Sequence, residues 1–394
     1  MRLGIFPQGI IDKLKSKKII WLHAVSVGEA QASGTLIKSL KEIYPDCFLV
    51  VSTVTKTGNK IARNLTDKQD LVIYSPLDIG FVTRRVVNLI SPKIFIIAET
   101  EIWPNLIISL AEKDVPPILV NGRISSASFR GYKIIRSFLR KVLESFSLFC
   151  MQTEKDARRI IALGADENKV KVTGNMKFDI LNAQNLNHNL DLSLCENEQL
   201  FIAGSTHRGE EEIILEVYKE LNKDYAGLRL LIAPRHIERT QEIERLIEKF
   251  GFESQKVSRL TFNRETSGRR QVLILDTIGQ LKGLYALAEL VFIGGSLIPH
   301  GGQNPIEAAV FYKPIIFGPY MFNFSAVTET LLKAQAAIMV KDSRELKDEC
   351  TRILNDSALR KELGRRAKEA AQENTGATAK NTNLIKELIK MGVN

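Results

Sequence analysis

Short apolar, β-branched runs that break into a polar turn and resume at helical spacing recur along the whole chain, and this alternation most restricts what it can fold into. Residues 19–24 (IIWLHA) read as a buried strand, Ser26-Val27-Gly28-Glu29 as a turn, and the apolar spacing from about Ala30 to Ile43 is helical. The unit repeats as strand 47–53 with a helix from about Thr57, strand 93–98 with a helix from Pro104, strand 117–120 with a helix from about 128, and strand 147–151 with a helix from Lys155. Such alternation requires parallel strands joined by helical crossovers, hence a doubly wound α/β sheet whose ligands bind beyond the carboxyl ends of the strands. A second series follows: strand 200–204 into helix 209–222, 228–233 into 236–250, 271–275 into 279–288, 290–293 into 305–311, and strand 314–317. Residues 342–390 read as successive amphipathic helices separated by Ser357 and Gly376.

At 394 residues the chain is long for one core. The asparagine-rich, aperiodic stretch 181–198 is the expected linker between a first domain, 1–180, and a second, 199–394, whose last helices can cross back to the first. Two similar doubly wound domains facing a central cleft are the expected architecture.

The turns carry the chemistry. In 291–310, the run Val291-Phe292-Ile293 breaks into Gly294, Gly295, Gly301 and Gly302, then resumes as a helix near Asn304-Pro305. Glycines let backbone approach a ligand, Pro305 suits a first helical position, and the amides beyond it favour an anion. Glu307, one turn in, can accept bonds from a ribose diol, or merely favour its helix start. The spacing is neither G-x-G-x-x-G nor G-K-[ST], so it supports neither a Rossmann dehydrogenase nor a P-loop ATPase. Gly204-Ser205-Thr206-His207-Arg208-Gly209, Pro234-Arg235-His236 and Asp276-Thr277-Ile278-Gly279 are three more strand-to-helix turns, with Arg235 suited to a phosphate. Four such turns on one sheet edge outline a nucleotide-sized site.

In the first half, Ser26-x-x-Glu29 matches a capping box, which leaves Glu29 either a helix cap or a general base. Glu99 and Glu101 follow the run IFIIA; on extended backbone they point to opposite sides, so one of them faces the crevice. Lys177 lies in the turn GNMKF, near the domain boundary.

Composition narrows the function classes. The net charge of +10 lies wholly in the first half, where residues 1–185 hold 27 Lys and Arg against 17 Asp and Glu, while 186–394 hold 28 of each. A basic half suggests a polyanionic partner, and without a nucleic-acid motif an anionic lipid surface is favoured over RNA or DNA. Cys47, Cys150, Cys195 and Cys350 are scattered, as expected of reduced thiols in a cytoplasmic protein. The five histidines lack zinc spacing and no Asp-x-Asp occurs, so no metal or other cofactor is expected. No run of about 18 apolar residues exists, and the start MRLGIFPQGIIDKLKSKK is too polar for a signal peptide or spanning helix.

Taken together, HAVSVGEAQA (23–32), STVTKTGNKIA (52–62), ETEIWPNL (99–106), GNMKFD (174–179), GSTHRGEE (204–211), PRH (234–236), DTIGQL (276–281) and GGSLIPHGGQNPIEAA (294–309) resemble the 3-deoxy-D-manno-oct-2-ulosonic acid (Kdo) transferases, in order over nearly the whole chain. The resemblance implies a GT-B fold and metal-independent, inverting transfer of Kdo from CMP-Kdo to the lipid A precursor lipid IVA, at the cytoplasmic face of the inner membrane. It makes Glu29 the general base and Glu99 and Lys177 transition-state stabilisers. It places CMP contacts on Pro234, Arg235, Thr277, Ile278, Gly279, Asn304, Pro305, Ile306 and Glu307, and leaves Ser205, Gly295, Ser296 and Glu101 as further candidates. The hydrophobic anchor with which family members begin has no counterpart in these residues. In its place, GRISSASFRGYKIIRSFLRKVLESF (122–146) interleaves Arg130, Lys133, Arg136, Arg140 and Lys141 with Phe129, Tyr132, Ile134, Ile135, Phe138, Leu139 and Val142, as in a helix lying on an anionic bilayer. Arg136, Arg140 and Lys141 are thus candidate acceptor or membrane contacts. The rival readings are a UDP-sugar transferase or 2-epimerase of the same fold, and a non-catalytic lipid-binding protein.

Overall fold

The computed structural model describes residues 2–182, 192, 194, 198–260 and 271–391. The chain divides into two compact units, the first made of residues 1–180 and 374–394 and the second of 181–373. The expected linker 181–198 falls mostly, and Cys195 entirely, outside the described residues.

Unit 1 is built on seven strands: β1 (Ile19–His23), β2 (Phe48–Thr53), β3 (Leu71–Tyr74), β4 (Ile94–Ala98), β5 (Pro117–Gly122), β6 (Leu148–Met151) and β7 (Val170–Val172). They run parallel in the order β3-β2-β1-β4-β5-β6-β7. Every residue of β1, β2, β4, β5 and β6 is buried, as a sheet covered on both faces requires. Alternation along β1 divides its side chains between the two layers, Ile19 and Trp21 entering one apolar cluster and Ile20 and Leu22 the other. Since β2 follows on one side of β1 and β4 on the other, the strand order reverses at β1 and opens a crevice beyond the ends of β1 and β4.

Unit 2 repeats the plan with β8 (Gln199–Thr206), β9 (Leu228–Pro234), β10 (Glu253–Lys256), β11 (Gln271–Ile274), β12 (Leu290–Ile293), β13 (Ile315–Phe317) and β14 (Ile338–Met339), all parallel, in the order β10-β11-β9-β8-β12-β13-β14. Its reversal lies at β8, between the loops after β9 and β12.

Local chemistry sets the helix ends. Thr153 caps helix Glu154–Leu163 by accepting from the Asp156 amide, and Gly164 ends it at φ 118°. Asp342 accepts from the Glu345 amide to start Ser343–Asn355. The last helix, Ala377–Met391, belongs to unit 1: Ala377 and Ile385 join Leu36, Ile37 and Leu40 in one cluster, and the Asp179 carboxylate accepts from the amides of Gly376 and Thr378 at 2.6 and 2.5 Å.

Several expected helices differ in form: that from Ala30 to Ile43 is divided at Ser33, and that over 279–288 is the single turn Leu281–Leu284 followed by a 3-10 turn. The segment from about 128 is broken at Ile135 (φ −104°, ψ 21°) into Ser126–Ile134 and Arg136–Glu144, which splits the apolar stripe. Leu139 and Val142 are core, whereas Ile134 and Phe138 are 85% and 52% exposed. The helix expected over 305–311 is a single turn, Ile306–Ala309, too short to present a substantial dipole. Among the described residues no helix is long and apolar enough to cross a membrane.

Candidate active site

In unit 1 the crevice at the β1/β4 reversal is flanked by the turn after β1, carrying Glu29, and the loop after β4, carrying Glu99 and Glu101. Glu29 is 7% exposed. Its Oε2 accepts from the Val25 amide at 2.6 Å, its Oε1 from the Ser26 hydroxyl at 2.9 Å, and its own amide donates to Ser26 Oγ at 3.4 Å. The serine half of the capping box is therefore formed, the carboxylate reaching back to the Val25 amide and the Ser26 hydroxyl, and the same contacts hold it in place. Burial, reinforced by the charge of Glu99, pushes its pKa up to about 7.

Glu99 adopts φ 60°, with its amide donating to the Val120 carbonyl at 2.9 Å. Its Oε1 lies 3.0 Å from Lys177 Nζ. Glu101 is exposed, and burial of its carboxyl group followed by the Glu99 charge raises its pKa. Between them, the Thr100 hydroxyl donates to the Arg123 carbonyl at 2.5 Å and accepts from the Arg123 amide at 2.9 Å, which ties this loop to the one after β5. At the end of β1, His23 is fully buried, its Nδ1 is 2.8 Å from Ser52 Oγ, and burial lowers its pKa to about 4. It is a neutral neighbour of the site.

In unit 2 the glycine loop already holds an anion belonging to the protein. Glu210, fully buried, accepts from the amides of Gly295 (2.6 Å), Ser296 (2.9 Å), Leu297 (3.0 Å) and His207 (3.0 Å). The backbone amides of Gly295 and Ser296, two of the further sequence candidates, are thus engaged by this carboxylate. Gly294 must be glycine here, since a Cβ would lie 2.4 Å from the Ser205 carbonyl oxygen, and Ser205 itself takes φ 56°.

The remaining sequence candidates stay at the carboxyl edge. Pro234 ends β9, and Arg235, exposed, is anchored by its amide on the Thr206 carbonyl at 2.9 Å. Thr277 bonds Gln280, Ile278 is exposed and Gly279 takes φ 92°. Asn304 Oδ1 accepts from the Ile306 amide at 3.1 Å, next to Pro305, and Glu307 is half-buried with its pKa raised by burial against the opposing charges of Lys282 and Arg235.

Sequence reading passed over several neighbours. Lys282 faces Glu307 electrostatically, and burial lowers its pKa. The rings of His207 and His300 stack at 4.3 Å, with His236 edge-on to His207 at 5.9 Å. Burial, then His300, His236, Arg235 and Arg239, lowers the His207 pKa to about 4. Arg239 is engaged by Glu211 at 2.8 Å. All three histidines stood in the motifs already quoted; what the fold adds is their proximity to one another. On the other unit, Arg136, Arg140 and Lys141 are exposed, with Arg140 paired to Glu144 at 3.1 Å.

Comparison with known proteins bears on the family and the fold. A family profile described as "3-Deoxy-D-manno-octulosonic-acid transferase (kdotransferase)" matches residues 1–180. The 3-deoxy-D-manno-octulosonic acid transferase of Haemophilus influenzae is 33% identical over 95% of this chain and 88% of its own length. That of Aquifex aeolicus is 31% identical over 89% of each. A solved glycosyltransferase from Rickettsia africae, 15% identical, shares the fold over 95% of this chain and 99% of its own with a TM-score of 0.64. The fold is GT-B and the protein is a glycosyltransferase; the chain belongs to the Kdo transferase family of lipopolysaccharide biosynthesis.

Proposed function

We propose that this transferase moves Kdo from CMP-Kdo to a glucosamine hydroxyl of the lipid A precursor lipid IVA, with inversion at the anomeric carbon and without a metal. The observation that carries the reading is Glu29: a buried carboxylate with a pKa of about 7, held by two donors at a strand-order reversal, beside the Glu99–Lys177 pair. A base poised near neutral pH matches the task of taking a proton from an acceptor hydroxyl as its oxygen attacks the anomeric carbon. CMP leaves with the bonding electron pair on its phosphate, and Arg235 and Lys282 are the cations available to that charge. Glu99 faces the positive charge that develops at the sugar, and Lys177, paired with it at 3.0 Å, keeps that carboxylate in place.

The acceptor is a phosphorylated lipid, which fits the surplus of cations in residues 1–185 and the exposed Ile134 and Phe138 beside Arg136 and Lys141. Action at the cytoplasmic face of the inner membrane follows from this reading. The decisive experiment incubates the protein with CMP-Kdo and lipid IVA and weighs the product: addition of Kdo supports the reading, and an unmodified lipid overturns it. Stabilisation by UDP but not by CMP in a thermal-shift assay would point to a UDP-sugar enzyme instead.

A further inference from the structure

Two consecutive residues at the end of β5 touch the backbone on both sides of the Glu99–Lys177 pair. The Val120 carbonyl accepts from the Glu99 amide at 2.9 Å. Asn121, next in line and fully buried, accepts through Oδ1 from the Met176 amide at 3.0 Å, one residue before Lys177. Asn175 Oδ1 then accepts from the Lys177 amide at 3.0 Å, and the lysine reaches Glu99 at 3.0 Å.

Asn121 has the conformation this job needs. It stands at φ 54°, in the left-handed region that asparagine enters more readily than most residues, and this turns its side chain away from the alternation of the strand. Gln152 fixes the same peptide by donating to the Asn121 carbonyl at 3.0 Å. The Nδ2 of Asn121 is buried with no partner among the described residues, so the acceptor oxygen is the atom through which its amide group acts.

We propose that Asn121 is a positioning residue that holds Lys177 against Glu99 in the geometry the transfer step requires. The inference rests on the transferase reading above and names a residue that reading does not use. Asn121 itself touches neither substrate nor reacting atoms.

The charged and titratable groups around Glu29 make the role measurable. They are Glu99 and Glu101 after β4, Lys177 in the turn after β7, His23 at the end of β1 and Tyr132 near Glu101, while helix Lys56–Leu65, packed on Ser26 through Gly58, starts with Lys56. Glu99 already raises the Glu29 pKa, and a lysine that swings away leaves that carboxylate unopposed.

The test compares Asn121→Gly, which keeps the left-handed backbone but removes the acceptor, with Asn121→Asp, which keeps both. CMP release from CMP-Kdo in the presence of lipid IVA is followed against pH in the full chain. Asn121→Gly is expected to lower kcat on the order of 10- to 100-fold with the KM for CMP-Kdo unchanged. It should also move the acidic limb of the pH profile upward, while Asn121→Asp, which keeps the acceptor oxygen but adds a buried carboxyl group, retains a kcat closer to the parent's than Asn121→Gly. If the glycine variant does not fold, Asn121→Ser takes its place, its oxygen being too short to reach the Met176 amide. A folded Gly or Ser variant with the parent's kcat and pH limb overturns the proposal, as does an aspartate variant equally impaired. Glu29→Gln and Lys177→Ala run alongside: if both remain active the transferase chemistry itself is misplaced, whereas if both are inactive and Asn121→Gly is not, only the positioning role fails.

Discussion

Ser26 and Glu29 bind each other twice, the serine hydroxyl donating to the carboxylate at 2.9 Å and the Glu29 amide returning to Ser26 Oγ at 3.4 Å. Capping and catalysis are usually rival explanations for an acid in a first turn. Here one group has the geometry of both, because the bonds that satisfy the helix start also fix the buried oxygen atoms.

Glu29→Gln therefore separates the two roles. The amide keeps the size and one acceptor oxygen, so the variant should fold with a stability change of about 1 kcal/mol and lose transfer activity. CMP release and a thermal melt measure the two parts. Near-parent turnover by the glutamine variant would leave Glu29 as a cap and nothing more.

The same residue imposes a pH dependence on folding whose sign is fixed. The pKa of Glu29 is raised from 4.5 to about 7, so between these values the folded state binds more protons than the unfolded one. Stability from this group is then fully present below pH 4.5 and is lost as pH rises toward 7, to an extent of about 3 kcal/mol. Denaturant melts from pH 5 to pH 8 should show Glu29→Gln gaining on the parent across that window. Parallel curves would mean that Glu29 ionises as an ordinary surface acid.

Glu210→Gln should damage unit 2 more than its isosteric shape suggests. Four backbone amides point at an acceptor-only carboxylate, and an NH2 group there meets donors with a donor. A loss of roughly 3 kcal/mol in denaturant melts is expected, together with weaker CMP binding as the 295–297 loop loosens. Unchanged stability would show that the loop holds its form without its internal anion.

For the donor, Arg235→Ala and Glu307→Ala should each weaken CMP affinity by about 1.5–3 kcal/mol in calorimetry, the first through the phosphate and the second through the ribose. Folded variants with parent affinity would move the nucleotide away from this edge of unit 2.

At the lipid side, reversing Arg136, Arg140 and Lys141 to Glu should raise the KM for lipid IVA and reduce binding to anionic vesicles at low salt, with CMP affinity unchanged. Each basic residue near such a surface contributes about 1 kcal/mol. Equal vesicle binding by variant and parent would leave helix Arg136–Glu144 an ordinary solvated helix.

The fold was legible where burial is two-sided. IFIIA and LVFI have no polar position to confuse their period and IIWLH only His23 at its end, and the turns after them carry the expected Glu29, Glu99 and glycine loop. The edge strand β10 was not legible: ESQK has no apolar run, and its place in the sheet comes from pairing with β11. The strand LVIY of β3 was apolar enough to find but was passed over. The role of Glu210 was hidden for a different reason. Three glutamates in a first turn look like dipole complements, and what singles out one of them lies 85 residues away at Gly295. Asn121 and Lys282 gave no local signal for the same reason.

The return of helix Ala377–Met391 to unit 1 makes unit 2 an insertion within it. Unit 1 is consequently started before unit 2 and completed after it, because the face formed by Leu36, Ile37 and Leu40 waits for a helix that leaves the ribosome only after the whole of unit 2. A fragment ending at residue 180 would carry Glu29, Glu99 and Lys177 yet display that face to water, and would be a natural client for a chaperone rather than a minimal enzyme.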